Sequence, residues 1–319
     1  MISGGYRKLV IATCIGMLIV LLGGALVTNT DSGDGCGTDW PLCNGKFIPA
    51  WTLESAIEYS HRFFTGIVGI LVALTCIATY RLVRNMDKPD PEPLWYAGSI
   101  FVFTVVQALM GAAAVKWPQS SQVMALHFGI SLFAFASTLL LVIWVMRQRH
   151  AANRKPPSIP RGIAPLALAT SVYSLVVIYL GAYIRHTDSA GGCGTDWPLC
   201  NGAFLPELEG ATLVAFVHRL AAALFLFAVI LLHAYVWRRR HADSETARTS
   251  SWVLGLAFGQ VLSGALVAWT VGNEDLFIFT SLLHNLVICG LFSLLVDLSI
   301  RSWRYRDVGR DTQVVDSHA

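Results

Sequence analysis

Four of the nine histidines recur in register, and through them this chain could do chemistry. His61 and His218 stand 157 positions apart (218 − 61), as do His127 and His284 (284 − 127). Within each half the separation is 66 (127 − 61 and 284 − 218). A lone histidine in an apolar helix is ordinarily helix glue. Four at matched spacing inside apolar segments point to function, because ionisable groups are costly there. Two imidazoles facing each other in a four-helix bundle are the standard clamp for a haem iron. Zinc is the rival, but two histidines per bundle, without a third His or a carboxylate in both copies, fall short of the usual zinc set. The spacing therefore favours two bis-histidine sites of haem size, one in each half. His150, His186, His233, His241 and His318 have no histidine counterpart at this offset.

One carboxylate breaks the match. Glu58-Tyr59-Ser60-His61 aligns with Ala215-Phe216-Val217-His218, and on a helix Glu58 and His61 share a face. A carboxylate beside an apolar haem pocket is hard to ionise, which suits a proton acceptor working near neutral pH. The structural alternative is a Glu at a helix N-terminus, favoured by the dipole. Since only the first half has it, that half is expected to hold the reacting molecule and the second a permanent redox centre. Arg62 and Arg219 each follow a matched histidine. A guanidinium there could hold a haem propionate or snorkel to the headgroups. Gln107 and Gln260, each four residues before a glycine, read as interhelical hydrogen-bonding groups.

The residues CGTDWPLCNG occur twice, from Cys36 to Gly45 and from Cys193 to Gly202. Cys36 with Cys43, and Cys193 with Cys200, would close short disulfide rings, each worth roughly 2–3 kcal/mol by loop entropy. A structural staple is one reading and redox activity the other, the latter weightier for the first pair because it shares a half with Glu58. The spacing is not the C-x-x-C of dithiol oxidoreductases. Cys14, Cys76 and Cys289 lie inside apolar runs and read as packing residues.

The elements that must position these groups follow from composition. Of 319 residues, 55% are hydrophobic and 13% charged, about half the charge of a soluble domain; the mean hydropathy is +0.57. Eight apolar runs are long enough to cross a ~30 Å hydrocarbon core as helices. They are Leu9–Thr28, Tyr59–Val83, Leu94–Val115, Val123–Met146, Ile163–Ile184, Thr212–Trp237, Ser251–Thr270 and Phe277–Ile300. The fold class expected is an all-α integral membrane protein, two tandem four-helix bundles related by internal duplication. The boundaries expected are 1–149 for the first bundle, 150–162 for a cytoplasmic linker, 163–303 for the second bundle and 304–319 for a poorly ordered cytoplasmic tail. Gly23-Gly24, Gly66, Gly69, Gly111 and Gly264 read as helix-packing positions. Lys and Arg concentrate in the N-terminus, the even-to-odd loops and the tail, while only Lys46, Lys116 and Arg185 fall in the opposite loops. The positive-inside rule then puts both termini in the cytoplasm and both cysteine loops outside. These basic loops are orientation signals, and no nucleic-acid partner is expected. The first apolar run is too long, and lacks the cleavage-like end, for a removable signal peptide.

Taken together, the paired histidines, the cysteine pairs in the first and third outer loops and the E-x-x-H of helix two resemble the haem A synthase family. The resemblance covers nearly the whole eight-span region. It implies a multi-pass protein of the bacterial plasma membrane that oxidises a ring methyl of haem O to a formyl group, through an alcohol and a hydrated aldehyde, for terminal oxidase assembly. It implies that His218 and His284 ligate a haem b cofactor, that His61 and His127 flank the substrate haem O, and that Glu58 is catalytically important. Cys36 and Cys43 match the outer-loop pair of the bacterial branch. A haem O synthase partner is implied by the resemblance alone, and a homo-oligomer is compatible with it. Two rival classes remain open at this point. One is a bis-haem membrane electron carrier, which fits the histidines but not Glu58; the other is a periplasmic dithiol oxidase, which leaves the histidines unexplained.

Overall fold

Eight long helices make up most of the chain in the computed structural model, which describes residues 2–47, 52–117, 119–148, 157–241 and 243–306. They are α1 Gly4–Asn29, α2 Leu53–Arg84, α3 Glu92–Lys116, α4 Ser121–Gln148, α5 Ile163–His186, α6 Gly210–Trp237, α7 Ser244–Thr270 and α8 Glu274–Arg304. All eight are long and apolar enough to cross a membrane. Among the described residues there is no strand, only isolated bridges. Several helices start earlier than their apolar runs because polar caps, not hydrophobicity, set the first turn. Thr52 accepts from Ser55 N at 3.2 Å to open α2, and Asp243 accepts from Thr246 N at 3.1 Å to open α7. Glu58 is therefore carried more than one turn inside α2 rather than at its frayed end.

Within residues 4–148, α1 packs on α2, α2 on α3, α3 on α4, and α4 returns to α1. Helices α5 to α8 close the same ring. The two rings meet where α4 packs on α5 and α8, with α1 also touching α8. Leu132, Leu141, Leu291, Phe292, Leu295 and Leu298 are fully buried on α4 and α8. The rings of Phe103, Phe133 and Phe292 form a chain with centroids 5.2 and 5.3 Å apart, joining α3 through α4 to α8. Large apolar side chains such as Ile70, Leu109 and Leu262 face outward, as expected where the solvent is lipid.

At the end of the bundle opposite the cysteine loops, charged groups tie the rings together. Arg147 of α4 grips Asp297 of α8 through two bonds of 2.8 and 2.7 Å and Glu245 of α7 through a third of 2.7 Å. Arg301 holds Asp243 at 2.9 Å, and Arg304 holds Asp90, between α2 and α3, at 3.0 Å. Burial alone would raise the Asp243 carboxyl, but hydrogen bonds from Thr246 and the charge of Arg301 outweigh it and hold it below its ordinary value. Asp90 is likewise lowered, burial being outweighed by bonds from Glu92 N, Trp144 and Arg304.

Helix α8 runs through Arg304, and Tyr305 O accepts from Ile159 N at 2.9 Å, with Ile159 fully buried. The end of the linker and the end of α8 thus pin each other, because the linker backbone needs a partner once buried. Residues 150–156 of the linker and 307–319 of the tail, with His150 and His318, lie outside the described residues.

Candidate functional site

The two cysteine loops adopt one geometry. Disulfides join Cys36 to Cys43 and Cys193 to Cys200. Cys43 N donates to Lys46 O and Cys200 N to Ala203 O, both at 3.0 Å. Asn44 and Asn201 take φ of 50° and 52°, and Gly37 and Gly194 take 59° and 58°, a left-handed conformation for which Gly and Asn are suited. Both Trp-Pro bonds, Trp40-Pro41 and Trp197-Pro198, are cis. At the join with the helix, a Cβ on Gly35 would stand 2.5 Å from the carbonyl carbon of Glu54, so only glycine lets the loop seat on α2.

The arginines that follow the histidines clamp these loops. Arg62 Nη1 donates to Asp39 O at 2.8 Å and Leu42 O at 2.6 Å. Arg219 Nη1 donates to Asp196 O at 2.8 Å and also to Leu199 O. Glu58 then separates the halves. It is buried, pairs with Arg62 Nη2 at 2.5 Å and accepts from Cys36 N at 2.7 Å. Its surroundings differ from the apolar setting expected, since a guanidinium and a backbone N–H meet the carboxylate directly. Ala215 offers Arg219 and the second loop no such group.

One cavity of about 1300 Å³ runs through both halves beneath the loops. His61, His127, His218 and His284 all line it, as do Glu58, Arg62 and Arg219. His61 and His127 lie within electrostatic reach of each other, and so do His218 and His284. The structure thus brings together the pairs expected from the spacing.

Each imidazole rests on a glycine of the neighbouring helix. An added Cβ would stand 3.3 Å from His61 Cε1 at Gly24, 3.0 Å from His218 Cε1 at Gly181, 3.3 Å from His284 Cε1 at Gly264 and 3.9 Å from His127 Cε1 at Gly111. Gly23, Gly24, Gly111 and Gly264, expected as packing positions, are seats for the rings, whereas a Cβ on Gly66 or Gly69 would meet open space. Gln260 Nε2 lies 2.9 Å from His284 Nε2, and Ser263 Oγ lies 2.8 Å from Nδ1. Gln107 instead donates to the His127 carbonyl at 2.9 Å, the interhelical role expected of it.

These residues fit a haem. The Nδ1 atoms of His61, His127 and His218 are buried without a hydrogen-bond partner, an arrangement that costs stability unless a ligand answers it. Paired imidazoles cradled by glycines around a large and mostly apolar cavity are a donor set suited to haem iron.

Two residues passed over by the register reasoning also line the cavity: His186, aligned with Asn29, and its neighbour Arg185. Both come from the end of α5. Arg185 reaches across to donate to Asn29 Oδ1 at 3.1 Å and Thr28 O at 2.5 Å. The signal is present in the sequence, since Arg185 is one of the three cations in the loops where the charge rule expects few. Cys14 and Cys289 are buried and Cys76 is half-buried, with its thiol donating to Ala97 O at 3.3 Å, in keeping with packing roles.

The sequence matches the family described as cytochrome oxidase assembly protein (COX15-CtaA) over residues 7–56 and 52–296. It is 38% identical over 318 residues to Heme A synthase of Symbiobacterium thermophilum, covering 98% of this chain and 99% of that protein. Against Heme A synthase of Exiguobacterium sibiricum it is 39% identical over 292 residues, covering 91% and 93% of the two chains. For that of Geobacillus thermodenitrificans the identity is 38% over 299 residues, covering 92% and 90%. With the family pattern matched from α1 into α8, and relatives aligned nearly end to end, the chain belongs to the COX15-CtaA cytochrome oxidase assembly family alongside these heme A synthases.

Proposed function

We propose that this protein is a haem A synthase, oxidising a ring methyl of haem O to a formyl group in a bacterial plasma membrane, with both termini cytoplasmic. The observation that carries the reading is a pair of histidine-lined sites in one cavity, of which only the first has a carboxylate, Glu58, tied to its loop. His218 and His284, seated on Gly181 and Gly264, would hold haem b, with Ser263 fixing the His284 ring through Nδ1 and leaving Nε2 for the iron in place of its contact with Gln260. When bound there, haem b supplies a one-electron redox centre. His61 and His127 would flank the substrate, presenting one edge of it to Glu58.

The chain's own part is positioning and proton handling. An ionised carboxylate has about four acceptor positions; Arg62 Nη2 and Cys36 N fill two of Glu58's. The remainder are free to accept a proton released as the methyl carbon is oxidised. Arg62 keeps the carboxylate in place and, with the disulfide, closes the loop over the cavity. Haem O synthase is the supplier this activity requires.

Haem composition tests the reading. Protein purified from cells that supply haem O should carry haem b and yield haem A, and Glu58→Gln should retain haem b while haem A falls at least tenfold. Haem b with no haem A from the native chain would instead establish a membrane electron carrier. Undiminished haem A from the Gln variant would remove the proton role from Glu58.

A further inference from the structure

The outer end of the first-half site holds buried donors that no protein group answers. Asn29 Nδ2 and Arg62 Nε are both buried without an acceptor, and both residues line the cavity. Beside Asn29 stands the Arg185 guanidinium from the second half, whose Nε donates to Asn29 Oδ1 at 3.1 Å. Its remaining partners are the Thr28 carbonyl at 2.5 Å and the carboxylates of Asp31 at 3.0 Å and Asp188 at 3.1 Å. The two aspartate side chains are 87% and 89% exposed, so water screens both pairs and each holds the guanidinium only weakly. His186 follows in the chain. Ser121 Oγ, at the start of α4, donates to its carbonyl at 2.5 Å and fixes it over the first half, where its ring comes within electrostatic reach of His127.

This cluster has no mirror image. At the offset of 157, Arg185 and His186 correspond to Thr28 and Asn29 (185 − 28 and 186 − 29), so the second half lends a cation and an imidazole to the first and receives neither. Buried N–H donors beside a guanidinium whose ion pairs are solvent-screened, and so displaceable, are a binding set for a carboxylate.

We propose that Asn29, Arg185 and His186 form a carboxylate-binding rim, built across the two halves, that takes one propionate of the haem bound between His61 and His127. Arg62 Nε serves the other propionate. The inference rests on the reading of the first half as the haem O site. Its consequence is specificity: two histidines define an axis about which a macrocycle can rotate, and a carboxylate anchored at the rim selects the ring edge that meets Glu58.

The test is a binding titration that needs no turnover. Haem O and its propionate dimethyl ester are titrated separately into the purified full chain carrying haem b, without oxygen or reductant. The native protein should prefer the diacid at least tenfold. Asn29→Asp keeps the Oδ1 acceptor for Arg185 but replaces the free donor with a carboxylate oxygen. It should abolish the preference while ester affinity stays within about threefold, and Arg185→Met should act in the same direction. An unchanged diacid-to-ester ratio in both variants overturns the rim, as does equal loss of both ligands, which would mark a purely structural strap. Native protein that binds neither ligand beyond haem b overturns the substrate reading and the rim with it. A chain that shows the preference yet forms no haem A overturns the activity and leaves the rim standing.

Discussion

Gly181→Ala should weaken haem binding at the second-half site. The added methyl would stand 3.0 Å from His218 Cε1 and 3.6 Å from both ring nitrogens. Carbon atoms at rest lie about 3.5–4.0 Å apart, so the ring must retreat by roughly half an ångström or α5 must move away from α6. Overpacking of this kind costs about 1–3 kcal/mol. If that strain falls on the bound state, haem affinity drops between about fivefold and 150-fold, a factor of ten for each 1.4 kcal/mol. The assay is haem per polypeptide before and after challenge with a haem-scavenging apoprotein, read from the spectrum of the bis-histidine centre. Two further alanines supply the scale. Gly24→Ala, at 3.3 Å from His61 Cε1, should weaken only first-half binding, and Gly111→Ala, at 3.9 Å from His127 Cε1, should be nearly silent. Full retention of haem b by Gly181→Ala, or a loss in Gly111→Ala as large as its own, would refute the glycine-seat argument.

Three other outcomes are expected. Arg147→Met removes the bidentate partner of Asp297, whose side chain is 3% exposed, and should cost about 3–5 kcal/mol in thermal unfolding in detergent, most of it recovered by adding Asp297→Leu. Because Asp243 is held below its ordinary value of 3.8, its ion pair stabilises the fold at and above that pH. The contribution fades as pH falls through the lower folded value, so the acid-side drop in Tm should be shallower in Asp243→Asn. Replacing Cys36 and Cys43 together by Ser should loosen the first loop by about 2–3 kcal/mol, measured as faster proteolysis at that loop; unchanged proteolysis would show that Arg62 and Gly35 suffice to seat it.

How much of this was legible in the sequence depends on whether a signal repeats. Apolar runs gave eight helices because lipid demands continuous hydrophobicity, but not their starts, which Thr52 and Asp243 set through single side-chain bonds. The four histidines were legible because each occurs twice. The glycines are legible as packing positions, but not as seats for the rings, since closeness to a ring and closeness to a helix demand the same missing Cβ. Arg62 was seen beside a histidine, but its use on loop carbonyls depends on how residues 37–42 fold back over α2, which no spacing encodes. His186 falls outside a filter for repetition and Arg185 enters only as a loop charge, because such a filter discards whatever one half does for the other.

That last point bears on how one scaffold could support two roles. Loop geometry, disulfide, arginine clamp and histidine seats occur in both halves, so none of them can by itself distinguish a site that keeps its haem from one that turns it over. The features found on one side alone can. In the first half the clamp arginine meets Glu58, which also takes Cys36 N, so loop closure and the placement of the carboxylate are one mechanical unit. Opening that loop would withdraw a partner from Glu58, and anything that displaced Glu58 would free the loop. In the second half Arg219 grips its loop with no carboxylate between, and Ser263 braces His284 through Nδ1 instead. A braced ligand suits a resident group and a latched loop suits a visiting one. The two-role reading therefore rests on how each histidine pair is supported, more than on the pairs themselves.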